Sequence, residues 1–207
     1  MSLSLSSSPF NLKVIGIPTN IDVARTMTCL FEKDIEFRHI PGSVGRKFAI
    51  VEGIGKTDSC YESRHICKYV CEKFSEKGNR ELYGRNPLAK KSIEEWMKME
   101  EERFDSPSRI LTYRGENDLL MKKMSLEELG EMMEIYENTL GKSRYLAGDE
   151  FTLADLFHLP SVHNLVNITH TAPLFASPNL SRWWNDISSR RSWKKLLQIR
   201  QEYLKRN

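Results

Sequence analysis

The amino-acid sequence predicts a small α/β unit followed by an all-helical unit. Up to about residue 83, short strand-like runs alternate with helical patterns, whereas beyond residue 91 the apolar residues recur at helical spacing alone. The 207 residues are 40% hydrophobic with only 11 glycines and 8 prolines, which excludes a collagen-like, low-complexity or disordered chain. At roughly 100–200 residues per domain, this length allows one large domain or two small ones.

Charge and hydropathy exclude two classes of partner. The 31 basic and 28 acidic side chains give a net charge of +3, too near neutrality for a nucleic-acid binder. No apolar run approaches the ~18 residues that a membrane span requires, so we expect no membrane partner. Residues 1–10 lack the basic and apolar regions of a secretory signal and predict a flexible tail on a cytoplasmic protein. In that compartment we expect reduced thiols at Cys29, Cys60, Cys67 and Cys71. A metal site needs more ligands at tighter spacing than Cys67, Cys71 and His65 offer, so we expect none.

The first unit spans residues 11–84 and contains the predicted strands. Lys13–Ile17 is a β-rich run that stops at Pro18, and Ile35–Ile40 alternates apolar and polar side chains. Two more strands and two helices complete this unit: strands over 48–51 and 59–61, a helix that opens at Asp22, and a helix over 63–74.

A predicted linker at residues 85–90 leads into the helical unit, residues 91–207. The apolar periodicity of the helical unit indicates a long helix from Ile93 to Phe104. A second helix is indicated over Leu126–Leu140, and Gly141 stops it. Thr152 and Asp155 have the spacing of a capping box at the start of another helix. The C-terminal helices are organised by large apolar side chains, namely Trp183, Ile187, Trp193 and Leu197.

Five motifs carry a family resemblance. Tyr145–Leu156 reads YLAGDEFTLADL, His158-Leu159-Pro160 follows it, and Trp183–Arg190 reads WWNDISSR. Arg103–Pro107 and Glu62-Ser63-Arg64 are two shorter matches. Together these motifs resemble the plant phi-class glutathione transferases. The resemblance implies the glutathione transferase fold, with an α/β thioredoxin-like N-terminal domain and an all-α C-terminal domain, usually as a cytoplasmic homodimer.

The resemblance also locates the expected catalytic position. In the family, a serine after the first strand donates a hydrogen bond to the glutathione sulfur and stabilises the thiolate, because a thiol with a pKa near ~8.5 is mostly protonated at neutral pH. Here the stretch 16–20 reads Gly-Ile-Pro-Thr-Asn, so Asn20 stands where that serine is expected. An amide can donate a hydrogen bond and Thr19 offers a hydroxyl, so both are candidate catalytic residues.

The expected glutathione site is shorter than in the family. Between Phe37 and Glu62 this chain has roughly a dozen residues fewer than the family, and no proline stands between Pro41 and Pro87. The family's cis-proline clamp is therefore absent, because a non-proline cis bond costs about 2.5–4 kcal/mol. Glu62 and Ser63 remain as a remnant glutathione-binding site at the start of a helix, whose free N–H groups can receive a carboxylate.

The family's hydrophobic-substrate cleft would be lined by Ile17, Phe104, Leu111, Tyr113 and His163. For Phe104, Leu111 and Tyr113, a place in the core between the two domains is an equally weighted alternative. The neighbouring acidic residues Glu101, Glu102 and Asp105 are more typical of a solvated face than of an acid/base pair, and His158 is more typical of a structural histidine.

These departures favour a divergent family member that binds or acts on a small hydrophobic plant metabolite, with glutathione conjugation weakened or lost. Three alternatives stay open. The first is a conventional transferase that conjugates glutathione to apolar electrophiles, and the second is a glutathione-independent isomerase, cyclase or lyase. The third is a non-catalytic ligand carrier. Glutathione is a possible but doubtful cosubstrate, and the expected partners are a small hydrophobic molecule and a second copy of the chain.

Overall fold

The computed structural model describes residues 12–42, 50–52, 62–113, 118–167 and 171–206. The predicted flexible tail, the predicted strand over 59–61 and Cys60 lie outside these residues. Nothing in the described residues forms a helix that is both long and apolar enough to cross a membrane.

The N-terminal unit contains a three-stranded mixed sheet and two helices. The strands stand in the order β2-β1-β3, with β2 parallel and β3 antiparallel to β1. In chain order the elements are β1 (Lys13–Ile15), α1 (Ile21–Glu32), β2 (Arg38–Ile40), β3 (Ile50–Glu52) and α2 (Ser63–Lys73). Because α1 connects two parallel strands, its N-terminus lies just beyond the carboxyl end of β1, at the edge where ligands commonly bind in α/β folds.

Two strands are shorter than the sequence predicts. β1 ends at Ile15 because Gly16 adopts a φ of 147°, which leaves only three residues for the ladder. β2 correspondingly begins at Arg38 rather than Ile35, since the Ile35 N–H donates to the Leu30 carbonyl at 3.0 Å and closes the end of α1 instead. The predicted strand over 48–51 appears in part as β3.

The helical unit follows a turn-rich stretch after α2. Its helices are α3 (Pro87–Met99), α4 (Ser106–Tyr113), α5 (Leu119–Leu140), α6 (Leu153–Leu156), α7 (Leu159–Val166), α8 (Pro178–Ser189) and α9 (Arg191–Arg206). α3 begins inside the stretch that the sequence predicts as a linker, with Asn86 as its cap. α5 begins seven residues before Leu126, because the Asp118 carboxylate accepts the N–H of Met121 and caps an earlier first turn.

The predicted long helix from Ile93 to Phe104 is interrupted by π-helical geometry. Residues Glu100–Asp105 form a π-helical segment between α3 and α4. A π-bulge shifts the phase of a helix, and such bulges are frequent at functional sites. Here it buries both Glu100 and Phe104.

Helix α1 connects the two units. Eleven of its twelve residues are buried, because it packs on α2 within its own unit and on α6, α7 and α9 of the helical unit. At its C-terminal end, Glu32 accepts two hydrogen bonds from Arg190 at 2.8 and 2.7 Å. These contacts hold the whole of α1 against the helical unit, and the residues at its N-terminal end are therefore held there too.

Candidate functional site

Asn20 lies at the N-terminus of α1 and serves as its cap. Its Oδ1 accepts the backbone N–H groups of Asp22 at 2.8 Å and Val23 at 3.2 Å. The preceding Thr19 is half-buried, as is Asn20 itself. The carbonyl side of the Asn20 amide is therefore committed to the helix, and only its NH₂ group is left to interact with a ligand.

Ser63, at the start of α2, is bonded to α1. Only 1% of Ser63 is exposed, and its hydroxyl donates to Oδ1 of Asp22 at 2.6 Å. The other oxygen of that carboxylate accepts from Arg109 of α4 at 3.3 Å. The hydroxyl proton of Ser63 is thus used inside the protein.

Glu62 directs its side chain to solvent. It is the cap position of α2 but makes no side-chain hydrogen bond to the helix backbone. Its Oε2 lies 2.5 Å from Nδ1 of His65, with both side chains more than half exposed. Glu62 and Ser63 are adjacent in sequence but lie in different environments, so they do not form a joint pocket of their own.

A buried cluster of charges lies behind these residues. Arg25 of α1 donates to Glu100 at 2.5 Å and to Asp105 at 3.0 Å, and both the Arg25 and the Glu100 side chains are fully buried. Arg64 reaches the other oxygen of Glu100 at 2.7 Å, and Arg109 reaches Asp105 at 2.7 Å. The cluster links α1, α2, the π-helical segment and α4, and it fixes the position of Asp22 through Arg109.

Burial and ion pairing act in opposite directions on the two acids of this cluster. Burial raises the pKa of Glu100, and the guanidinium groups of Arg25 and Arg64 only partly offset it. Burial also raises the pKa of Asp105, but Arg25, Arg109 and Arg64 outweigh that effect and hold this pKa below its usual range. The three arginines therefore offset part of the free-energy cost of burying these two carboxylates.

The sequence did contain a signal for Glu100. Ile93, Met97, Glu100 and Phe104 follow the helical spacing of one face, and all four are buried. A carboxylate on an apolar face needs a cation, and Arg25 supplies it from another element. Sequence reasoning instead assigned Glu101, Glu102 and Asp105 to a solvated face. Glu101 and Glu102 are indeed exposed, but that expectation is wrong for Asp105, which is half-buried and paired with Arg25 and Arg109.

Phe104 lies in the core of the helical unit. It is fully buried, and its ring centroid lies 4.7 Å from that of His158 and 6.1 Å from that of Tyr136. Phe104 is therefore a core residue, in the helical unit rather than between the two domains as the alternative to the cleft had it. His158 likewise has a structural place, because its Nδ1 lies 2.7 Å from the Ala154 carbonyl and its Nε2 lies 2.8 Å from the Tyr136 hydroxyl.

The other candidate cleft residues are more accessible. Ile17 and Leu111 are half-buried, and Leu111 packs against the core. Tyr113 is 58% exposed at the end of α4, where its hydroxyl accepts from Nδ2 of Asn164 at 3.4 Å. His163 of α7 lies with its ring centroid 5.6 Å from that of Trp193. Tyr113 and His163 thus stand on neighbouring helices, whereas the structure gives no direct contact between them and Asn20.

Metal-ligating side chains do not cluster in the described part of the chain: no group of three or more His, Cys, Asp or Glu side chains there is arranged to hold an ion. Cys29, Cys67 and Cys71 are free and buried. Burial is the main cause that raises the pKa of the Cys29 thiol well above its usual value. The thiol therefore stays protonated at neutral pH and is not a reactive nucleophile.

Comparison with known proteins gives concordant matches. Residues 93–191 match the family described as glutathione S-transferase, C-terminal domain. Glutathione S-transferase F11 of Arabidopsis thaliana is 32% identical over 213 residues, covering 91% of this chain and 98% of F11. The crystal structure of glutathione transferase F2 from Populus trichocarpa has 39% identity and a TM-score of 0.85, covering 92% of this chain and 99% of that one. Poplar glutathione transferase F1 has 35% identity and a TM-score of 0.85, with coverage of 93% and 99%.

The predicted fold is confirmed by these matches, since the solved neighbours cover both the α/β unit and the helical unit. F11 of Arabidopsis thaliana is more than 30% identical and is matched over nearly its full length, so this chain and F11 belong to the same family. The chain belongs to the plant phi-class glutathione transferase family.

Proposed function

We propose that this protein binds or transforms a small hydrophobic plant metabolite in the cytosol, with glutathione conjugation weakened or lost. The observation that carries the proposal is the hydrogen bond from Ser63 to Asp22 at 2.6 Å. Ser63 belongs to the motif that resembles the family's glutathione-binding segment, yet its hydroxyl already donates to a carboxylate of the chain.

The Ser63–Asp22 pair disfavours a glutathione carboxylate in two ways. A hydrogen bond to a charged group contributes about 1.5–3 kcal/mol, and a ligand would have to replace it. Asp22 also places a negative charge beside the start of α2, where like charges repel. Two cations partly compensate this charge: Arg109, which also donates to Asp105, and Arg25, whose Nη1 lies 3.9 Å from Oδ1 of Asp22.

Asn20 is a weak substitute for a serine hydroxyl at the thiolate position. Its Oδ1 is occupied by two backbone N–H groups, so the amide cannot rotate freely to suit a ligand. The chain also has no proline between Pro41 and Pro87, and so lacks the residue that forms the family's cis-proline clamp. These features together support poor positioning and poor activation of a glutathione thiol.

One observation favours conventional conjugation as the second candidate. Within the described residues, the NH₂ group of Asn20 makes no hydrogen bond, so it is available to donate to a sulfur. If glutathione can bind despite Asp22, Asn20 is the residue that would stabilise its thiolate.

The resemblance also implies a homodimer, which we retain as part of the proposal.

The two candidates are separated by restoring the family's chemistry. We expect wild-type turnover of glutathione with 1-chloro-2,4-dinitrobenzene to stay near the rate without protein. The double variant Asn20→Ser with Asp22→Ala frees Ser63 and supplies a hydroxyl, and we expect kcat/KM to rise at least about tenfold, which equals about 1.4 kcal/mol of transition-state stabilisation. Glu36→Ala, at an exposed acid of the same unit, is the control and should change nothing.

Efficient wild-type conjugation that Asn20→Ala abolishes would overturn the proposal in favour of the second candidate. Hydrophobic binding is measured separately, by the quenching of protein fluorescence with 2-naphthamide. Tyr113→Ala should weaken that binding, because the exposed Tyr113 ring is removed. Product analysis of candidate metabolites with Asn20→Ala and Tyr113→Ala then distinguishes an isomerase, cyclase or lyase from a carrier.

A further inference from the structure

We propose that Arg200, together with Asn164 and Tyr113, forms a carboxylate-binding subsite where α4, α7 and α9 meet, so that the ligand is an amphipathic anion. This inference rests on the proposed function and names the chemical class of its ligand. The three side chains come from three helices and form one hydrogen-bonded chain. Tyr113 accepts from Asn164 at 3.4 Å, and Asn164 accepts from Nη2 of Arg200 at 3.4 Å.

The Arg200 guanidinium lacks the partner that its burial requires. The side chain is half-buried, and its Nη1 is buried without a hydrogen-bond partner in the described part of the chain. The one hydrogen bond that Arg200 makes to a described residue goes to Asn164 at 3.4 Å, the long limit for such a contact. A buried cation costs free energy unless a carboxylate or several acceptors compensate it.

Other arginines of this protein show the pairing that Arg200 lacks. Among the described arginines that are not exposed, every other one contacts a carboxylate within 3.0 Å: Arg25 and Arg64 with Glu100, Arg109 with Asp105, and Arg190 with Glu32. Arg200 makes no such contact within those residues. A bound carboxylate ligand would give Arg200 the same contact that the other four arginines have.

Helices α7 and α9 each carry a further buried polar group that has no partner among the described residues. The Ser161 hydroxyl and the Trp193 indole N–H are buried and unpartnered, and with Nη1 of Arg200 they make three of the four such side-chain atoms in the described residues. His163, on the same helix as Ser161, has its pKa lowered to about 4 by burial and then by the Arg200 charge. Helices α7 and α9 thus carry more donors and positive charge than the described acceptors satisfy.

The chemistry of the three residues specifies the ligand. A guanidinium binds a carboxylate through two parallel N–H groups, which a neutral amide cannot match. The exposed Tyr113 ring offers an apolar face next to this cation. A molecule with an aromatic or aliphatic body and one terminal carboxylate fits both features.

The test compares 2-naphthoate with 2-naphthamide, two probes with the same ring system but different charge. We expect wild-type protein to bind the carboxylate roughly tenfold more tightly, or more, because the carboxylate forms an ion pair with two parallel hydrogen bonds, whereas the amide oxygen accepts from an uncompensated guanidinium. Arg200→Gln should abolish this preference, with a larger loss of affinity for 2-naphthoate than for 2-naphthamide. Arg206→Gln removes the same charge from an exposed position of α9 and should preserve the preference. Arg200→Lys, which keeps the charge but loses the planar fork, should retain part of it.

Equal affinities of the wild type for the two probes would overturn the subsite while leaving the hydrophobic binding function intact. Failure to bind either probe would contradict both the function and the subsite. A carboxylate of the chain itself is the competing occupant, and Glu116 follows Tyr113 by three residues in the sequence. If the Glu116→Gln variant prefers 2-naphthoate and the wild type does not, Arg200 is paired with Glu116 in the wild type. The subsite then does not exist in the wild-type protein.

Discussion

His158 illustrates how burial determines the charge of a single side chain. It is fully buried, it bonds to Tyr136 and to the Ala154 carbonyl, and its pKa is lowered to about 3, mainly by burial. In the unfolded chain the same imidazole has a pKa near ~6.5. The neutral form is therefore required by the fold, which makes folding sensitive to acid.

We predict that replacing His158 reduces the dependence of stability on pH. Between about pH 6.5 and pH 3 the unfolded state takes up a proton that the folded state excludes, so the free energy of unfolding falls on acidification, by at most about 1.4 kcal/mol per pH unit. Urea unfolding of His158→Gln between about pH 7 and pH 5 should show a shallower slope than the wild type. His65→Gln, at an exposed histidine, is the control. Identical slopes for the wild type and His158→Gln would contradict the assignment.

At the scale of single residues, sequence predicted positions better than contacts. Asn20 and Ser63 were identified from the motifs that contain them, and the structure places both at helix N-termini. The bond from Ser63 to Asp22 joins residues 41 positions apart, so no local pattern could indicate it. The same holds for Arg200, because the sequence gives no sign that its Nη1 is buried without a hydrogen-bond partner among the described residues.

At the scale of elements, α6 depends on its predicted capping box. Thr152 and Asp155 form that box, and Oδ2 of Asp155 accepts both the N–H and the hydroxyl of Thr152, at 3.1 and 3.4 Å. Asp155 also accepts from the Leu146 N–H and the Trp183 indole. The start of a four-residue helix is thus connected to a loop and to α8.

Thr152→Ala should lower the free energy of unfolding by about 0.5–2 kcal/mol, the usual cost of losing a cap side chain. Chemical denaturation measures the difference, and Thr152→Ser should restore most of it because the hydroxyl is kept. Thr139→Ala is the matched control, since Thr139 lies within α5 and only bonds back to the Ile135 carbonyl. A Thr152→Ala protein as stable as the wild type would show that the hydroxyl does not contribute to the cap.

Element boundaries were predicted less well than element types. The periodicity of α1, α2 and α5 identified each as a helix, but α5 starts at Leu119 because of a cap at Asp118. The strand ending at Ile40 lost its first three residues to the turn that closes α1. The π-helical geometry of Glu100–Asp105 leaves no signature in the apolar spacing, which keeps its helical period through Phe104.

For the whole molecule, the sequence predicted the family and the fold, and both are confirmed by the relatives and solved neighbours. The alignment with F11 of Arabidopsis thaliana runs over 213 residues, more than the 207 of this chain, so F11 contains residues that have no counterpart here. Under the proposed function, glutathione binding by the N-terminal unit is governed by the hydrogen bond from Ser63 to Asp22.

The central claim is that this family member no longer binds glutathione well, and a calorimetric titration of the wild-type protein tests it most directly. We predict no saturable heat of binding at glutathione concentrations below about 1 mM, which corresponds to a binding free energy weaker than about −4.1 kcal/mol. A micromolar dissociation constant together with turnover of a generic electrophile would contradict the claim, because Ser63 and Asn20 would then serve glutathione despite their internal bonds.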